Sequence, residues 1–213
     1  MEPTGLLHVL ISVSLVTQGV AFLPSHTQTL PDTDYTLTVL TEASILQVVA
    51  RYFEDSNPDR YSAGDLTNLD PLNPSSLFMK HYGECASWNK FVGAIKTITD
   101  NNIRISNDLR NTAEWHFNGN QINAGHQKMK SIRSRILQQL TVGDENAPDY
   151  DVARMDCGRF LHLAHSFYSN TNWIELNGQI DPDVYLGITN NLEYPDCPSN
   201  IATCRDCEGS TNS

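Results

Sequence analysis

The chain has 213 residues, of which 14 are basic and 25 acidic, so its formal net charge is −11. This length allows one ordinary domain with a sizeable core. The acidity argues against nucleic acid and anionic membrane surfaces as partners, because both require a basic face.

Residues 1–21 have the features of a signal peptide. Leu6–Val16 is a mainly apolar run that is too short to span a bilayer. Small residues at Gly19 and Ala21 predict cleavage after Ala21. Because residues 1–5 contain no lysine or arginine, a buried N-terminal helix is the alternative. We expect a secreted, extracellular protein that does not insert into the membrane after the signal is removed.

The first helix of the predicted mature chain follows an irregular stretch at 22–37 that is rich in proline, aspartate and threonine. Thr41 is the expected N-cap, and Ser56-Asn-Pro58 ends the helix. Five apolar residues follow helical spacing: Ile45, Val48, Val49, Tyr52 and Phe53. The Asp- and Asn-rich residues 57–74 predict a long loop.

A second helical region is predicted at about 75–98. Asn73 is a typical cap, and Pro74 is typical of the first helical position. Its expected buried residues are Phe78, Cys85, Trp88, Phe91 and Ile95. Residues 103–120 show no clear pattern.

Two further helices complete the predicted domain. Residues 121–142 are amphipathic, with Gly143 at the C′ position, and Pro148 opens the last helix. The polar face of the helix at 121–142 carries four basic residues: Lys128, Lys130, Arg133 and Arg135. We predict that this face is exposed to solvent, and an anion site is the alternative. From about 177 onward the sequence is irregular. We predict a mainly α, multi-helix domain over 22–195 with long irregular connections, and a Cys-rich tail at 196–213.

All five cysteines lie in the predicted mature part: Cys85, Cys157, Cys197, Cys204 and Cys207. In an exported chain they are disulfide candidates, and the odd count leaves one over. The last three could instead serve as zinc thiolates. Because the chain stops just inside this cluster, we expect either a fragment or a shortened product of a longer gene, with a truncated linker at its end.

The most informative stretch lies in the last helix. His162 and Ser166 are four residues apart and share one helical face. A histidine and a carboxylate at this spacing can hold a divalent metal, whereas serine is a poor zinc ligand.

This stretch also resembles a known family. Residues 158–176 read Gly-Arg-Phe-Leu-His-Leu-Ala-His-Ser-Phe-Tyr-Ser-Asn-Thr-Asn-Trp-Ile-Glu-Leu. They resemble the helix Gly-Arg-x-Leu-His-x-x-Gln-Asp-Phe-Tyr-Ser-His-Ser-Asn-Trp-x-Glu-Leu of the von Willebrand factor A domain-containing protein 7 family and the related fungal Het-C proteins. Leu40–Leu46, Trp115–Asn118 and Cys204–Cys207 resemble further elements of that family in the same order. The resemblance implies a Het-C-like helical fold, similar to that of zinc-dependent phospholipase C.

The resemblance also implies a metal site, from which this chain departs. His116 and His162 occupy ligand positions. The other ligand positions have lost their histidine or aspartate: they hold Leu37, Asn118, Ser166 and Asn170. His165 is additional and points about 60° of helical rotation away from the line joining His162 and Ser166.

Two imidazoles are too few for a structural or catalytic zinc site, although Asp156 or Glu175 could be recruited. The simplest interpretation of His162 is a core histidine bonded to a carbonyl or to Ser166, and that of Trp173 is a packing residue.

Three functions follow from these observations. The leading hypothesis is a secreted, non-catalytic helical module, the N-terminal module of a von Willebrand factor A domain-containing protein, which needs no cofactor and binds an extracellular protein. The alternative is a zinc-dependent phosphodiester hydrolase with His116 and His162 as ligands. An intracellular incompatibility factor, like the fungal relatives, requires an uncleaved leader.

Overall fold

A computed structural model of the chain describes residues 36–141, 148–174 and 185–189. Five α-helices and one 3-10 turn at Ala113–Trp115 build the described part, so the predicted mainly α fold is confirmed. The helices are α1 (Leu37–Ser56), α2 (Pro74–Tyr82), α3 (Asn89–Asp108), α4 (Ile122–Leu140) and α5 (Tyr150–Asn170). The predicted signal peptide with Ala21, the position Gly143, and Cys197, Cys204 and Cys207 lie outside the described residues.

Helix α1 begins earlier than the sequence predicted. Thr36 is the N-cap, because its hydroxyl accepts a hydrogen bond from the Val39 amide at 3.2 Å. The predicted cap Thr41 lies inside the helix, where its hydroxyl donates to the Leu37 carbonyl at 2.6 Å. The predicted end at Ser56 is confirmed.

The predicted helix at 75–98 is two helices. The Asn73 cap is confirmed, with Ser76 completing a capping box. Gly83 then adopts φ 95°, which ends α2, and α3 begins at Asn89 and continues into the stretch that showed no clear pattern. The predicted burial of Cys85 is wrong, because the residue lies exposed in the intervening loop.

Helix α5 is the central helix of the described part and packs against both α3 and α4. Its N-cap is Asp149, which accepts from the Val152 amide at 3.0 Å, one residue after the predicted Pro148 start. Gly158 allows α3 to approach closely, because a Cβ atom there would meet the Ile98 carbonyl oxygen and the Asn101 Cβ.

Two apolar clusters flank the centre of the molecule. The first joins α4, α5 and the segment 185–189, and includes Met129, Phe160, Phe167, Trp173 and Leu186. The second joins α1, α2 and α3, and includes Leu46, Phe53, Leu66, Leu77 and Ile95. A group of buried polar side chains lies where α1, α3 and α5 meet. Within the described residues, the helices are too short or too polar to cross a bilayer.

Candidate functional site

The retained histidines of the metal pattern are buried together. His162 projects from α5 with 2% of its surface exposed, and His116 follows the 3-10 turn with 9% exposed. The His162 Nε2 atom lies 3.2 Å from His116 Nδ1, and the two rings are nearly perpendicular. The Ser166 hydroxyl lies 3.3 Å from His162 Nε2, one turn along α5. The structure therefore brings together three positions that the sequence singled out.

The side chain of Asn102 connects this pair to α1. Its amide nitrogen donates to the Thr41 hydroxyl at 2.9 Å and lies 3.2 Å from His165 Nδ1. Its amide oxygen lies 3.2 Å from His162 Nδ1. Asn102 is fully buried, so these bonds form in the interior, where each polar group needs a partner. One asparagine thus links helices α1, α3 and α5.

Proton positions follow from the acceptors at the two ends of this chain of bonds. His116 Nε2 lies 3.0 Å from the Leu109 carbonyl, which accepts only, so this nitrogen carries a proton. The Asn102 amide nitrogen faces the Thr41 hydroxyl, which already donates to Leu37, so the amide oxygen faces His162 Nδ1 and that nitrogen also carries a proton. In the form of the pair that carries no charge, each imidazole has one N–H proton, and both protons are now placed.

The contact between His116 Nδ1 and His162 Nε2 therefore joins two lone pairs in the neutral pair. The Ser166 hydroxyl can donate to His162 Nε2 and satisfy one of them. A third proton, or a cation, would satisfy the contact directly and give the pair a positive charge. The 3.2 Å separation of the two nitrogens is short enough for a proton or a cation to bridge them.

Burial opposes that charge on α5. It lowers the pKa of His162 to about 3, and positive charge on His116 and then on His165 would lower it further. Burial alone lowers the pKa of His165 to about 4. Both α5 rings are therefore neutral at pH 7.

The donor set does not fit a zinc centre. A zinc site needs about four ligands, or three and a water, from imidazole, thiolate or carboxylate groups. Nowhere in the described residues do three histidine, cysteine or acidic side chains cluster in this way. Asp156, which the sequence suggested could be recruited, is bound to Arg135 and Arg159 instead. Glu175 lies outside the described residues.

The four substituted positions have taken other roles. The Leu37 carbonyl accepts from Thr41, and the Asn170 amide donates to the His116 carbonyl at 2.8 Å, which fixes the backbone of the second histidine. Ser166 bonds to His162. Asn118 is exposed in the turn before α4, away from the buried group. Three of the four thus belong to one hydrogen-bonded network with the histidines.

Sequence reasoning missed the hub of this network. Asn102 lies four residues beyond the end of the predicted helix, in the second half of what became α3. It falls on the buried stripe of that helix, with Ile95, Thr99 and Ile105. An asparagine on the buried stripe, between isoleucines and a threonine, was the available signal, since a buried amide needs partners.

The described cysteines do not pair with each other. Cys85 is exposed and Cys157 is half-buried on α5, and both are free thiols in the described structure. Burial raises the pKa of the Cys157 thiol to about 12, so it is not a reactive thiolate. The predicted packing role of Trp173 is confirmed, because the indole is 9% exposed against Phe167 and Tyr168.

Comparison with known families decides what these helices are related to. A family model described as the VWA7 N-terminal domain matches residues 72–213, which is two thirds of the chain. The chain belongs to the VWA7 N-terminal domain family. The match includes helices α2 to α5, and with them Asn102, His116 and His162.

Curated relatives extend the same similarity. Von Willebrand factor A domain-containing protein 7 of Homo sapiens is 28% identical over 182 residues, or 79% of this chain. The Rattus norvegicus protein is 25% identical over 176 residues, and the Mus musculus protein 26% over 142 residues. The chain spans about a fifth of the length of the human and rat relatives. No solved structure matches it significantly.

Proposed function

We propose that this chain is an exported, non-catalytic helical module of the VWA7 N-terminal type that serves protein interaction outside the cell. The observation that carries the non-catalytic part is the network around His162. Its two ring nitrogens meet an asparagine, two serines (Ser106 and Ser166) and a second histidine, and no carboxylate. Activating a water for hydrolysis requires a strong Lewis acid or a placed carboxylate base.

The sequence of residues 1–21 supports export. An apolar groove on the surface of the described part supports an interaction role. A groove of about 470 Å³ between α1, α3, α4 and α5 is almost entirely apolar. Large side chains around it remain exposed: Tyr52, Leu140 and Tyr150. Contiguous exposed apolar surface of this kind is typical of protein interaction sites.

A zinc-dependent phosphodiester hydrolase is the second candidate, and one distance favours it. Two imidazole nitrogens bound to one tetrahedral zinc at 2.0–2.1 Å lie about 3.3 Å apart. The His116–His162 separation is 3.2 Å, so the pair has kept that spacing. A hydrolase would need at least one more protein ligand and a base.

Expression of the whole chain in secretory cells tests both parts of the proposal. We expect the protein in the medium with Phe22 as its first residue, and no hydrolysis of bis(p-nitrophenyl) phosphate with or without added zinc. Intact Met1 on protein retained in the cytosol would contradict the export proposal. Hydrolysis that chelator abolishes and that His162→Ala removes would establish the hydrolase instead.

A further inference from the structure

A second cleft, lined by other stretches of α3, α4 and α5 than the apolar groove, is rich in basic residues. It has a volume of about 390 Å³ and lies between α3, α4, α5 and the 3-10 turn. The charged residues that line it are four cations and one carboxylate: Arg104, Lys128, Arg135, Arg159 and Asp108. The chain as a whole carries a net charge of −11, so this cleft reverses the sign of the molecule locally.

Two of these cations are held side by side by one buried carboxylate. Arg135 donates to both oxygens of Asp156, from Nη2 at 2.7 Å and from Nε at 3.0 Å. Arg159 donates to the same carboxylate from Nη1 at 2.9 Å. The Asp156 side chain is only 3% exposed, so it anchors both guanidinium groups from below. A single carboxylate neutralises one of the two charges, which leaves an excess positive charge.

The two guanidinium groups keep donors for a ligand. Each has five N–H donors, and Asp156 uses two N–H groups of Arg135 and one of Arg159. Both side chains reach the surface, with 49% and 33% exposed. Fixed, forked guanidinium groups are suited to oxyanions, which they bind with paired hydrogen bonds.

The remaining wall of the cleft accommodates an organic group. Trp115 lines it together with Ile105 and Ile132. Lys128 lies with its Nζ atom 4.7 Å from the centre of the Trp115 ring and 3.4 Å from Glu114. A ligand with an anionic end and a small ring could therefore place the anion on the arginines and the ring against the indole.

We propose that this cleft binds a phosphate or sulfate monoester of a small cyclic organic molecule, with the oxyanion on Arg135 and Arg159. Neither the family match nor the buried histidine network assigns a role to these residues. The sequence analysis placed Lys128 and Arg135 on a helix face that is exposed to solvent. The structure adds Arg104 from α3 and Arg159 from α5 to those two and forms a cleft.

Calorimetric titration of the purified full chain at low ionic strength tests the proposal. The probes are glucose 6-phosphate, glucose 6-sulfate, glucose and inorganic phosphate. We expect saturable one-to-one binding of at least one ester, no binding of glucose, and weaker binding of inorganic phosphate. Added salt should weaken the binding of the ester. The two esters distinguish a phosphate from a sulfate ligand.

A matched pair of variants on α5 makes the test specific. Arg159→Gln removes a guanidinium group that lines the cleft. Arg154→Gln removes a guanidinium group that lines the apolar groove instead. Each arginine forms an ion pair with the aspartate three residues before it on the chain, Arg154 with Asp151 and Arg159 with Asp156. We expect Arg159→Gln to weaken ester binding at least about tenfold, the scale of a charge-assisted bond, and Arg154→Gln to leave it unchanged.

Arg104, which is 66% exposed and donates from Nε to Asp108 at 2.8 Å, keeps its two Nη groups for a ligand. It supplies a second variant that leaves the Asp156 cluster intact, and Arg104→Gln should also weaken binding. The helical circular dichroism of each variant confirms its fold. Absence of saturable binding by the wild-type protein would overturn the proposal. Equal weakening by Arg154→Gln and Arg159→Gln would do the same, since it would show nonspecific attraction. Either result would leave the arginines as a structural tie between α4 and α5.

Discussion

Replacement of Asn102 by alanine should destabilise the fold more than any other single change to a polar residue in the site. The side chain is fully buried and bonds to Thr41, His162 and His165. Thr41 keeps its bond to the Leu37 carbonyl, so the loss falls mainly on the two imidazoles. A buried polar group deprived of a partner costs about 1–3 kcal/mol. Two such groups are affected, so we expect Asn102→Ala to lower the free energy of unfolding by about 2–6 kcal/mol.

The neighbouring Asn101 provides a matched control. It is half-buried, and its amide donates to the Thr97 carbonyl within α3 at 2.8 Å. Asn101→Ala removes the same chemical group from the same helix but should cost less than about 1 kcal/mol. Urea denaturation followed by far-ultraviolet circular dichroism measures both variants. Equal effects of the two variants, or a loss below 1 kcal/mol for Asn102→Ala, would refute the assignment of Asn102 as the hub.

Three further outcomes are expected. Lowering the pH from 7 to 5 should reduce the free energy of unfolding by about 2 kcal/mol for each of His162 and His165, because the unfolded rings take up protons near pH 6.5 and the folded ones do not until about pH 3 and 4. Denaturation at each pH checks this. Constant or rising stability would show that His162 and His165 take up protons in the folded protein. Gly158→Ala should lower the melting temperature, because its Cβ meets the Ile98 carbonyl; an unchanged melting temperature would contradict the close helix contact. Ser166→Asp with Asn170→His should raise zinc affinity measured by titration, and unchanged affinity would show that these positions do not face the histidine pair.

The mainly helical fold could be predicted because its signals are local. The Asn73-Pro74 start and the Ser56-Asn-Pro58 end each depend on residues that are adjacent in the sequence. The break at Gly83 was missed because glycine ends a helix only when the backbone takes positive φ, and apolar residues on both sides continued the helical spacing. The prediction of Thr41 as the N-cap was wrong because the sequence does not distinguish the two roles of a threonine hydroxyl. It can cap the start of a helix, or it can donate to a carbonyl one turn earlier inside the helix, as Thr41 does.

The site could be predicted only in part. The His116–His162 pairing followed from the resemblance, and the Ser166 contact followed from helical spacing. The role of Asn102 could not be derived in this way, because it depends on which face of α3 meets α5 across 60 residues of sequence. The cleft lined by Arg104, Arg135 and Arg159 is likewise a tertiary feature, since these residues come from three different helices.

We propose that hydrogen bonds, and not a metal, hold the histidine pair in place. Metal analysis by mass spectrometry of the purified full chain, with melting temperatures measured with and without chelator, tests it most directly. We expect less than stoichiometric zinc, and an equal loss of stability of about 1–3 kcal/mol for His162→Ala in both conditions. One zinc per chain, with a melting temperature that falls on adding chelator to the wild-type protein, would contradict the account.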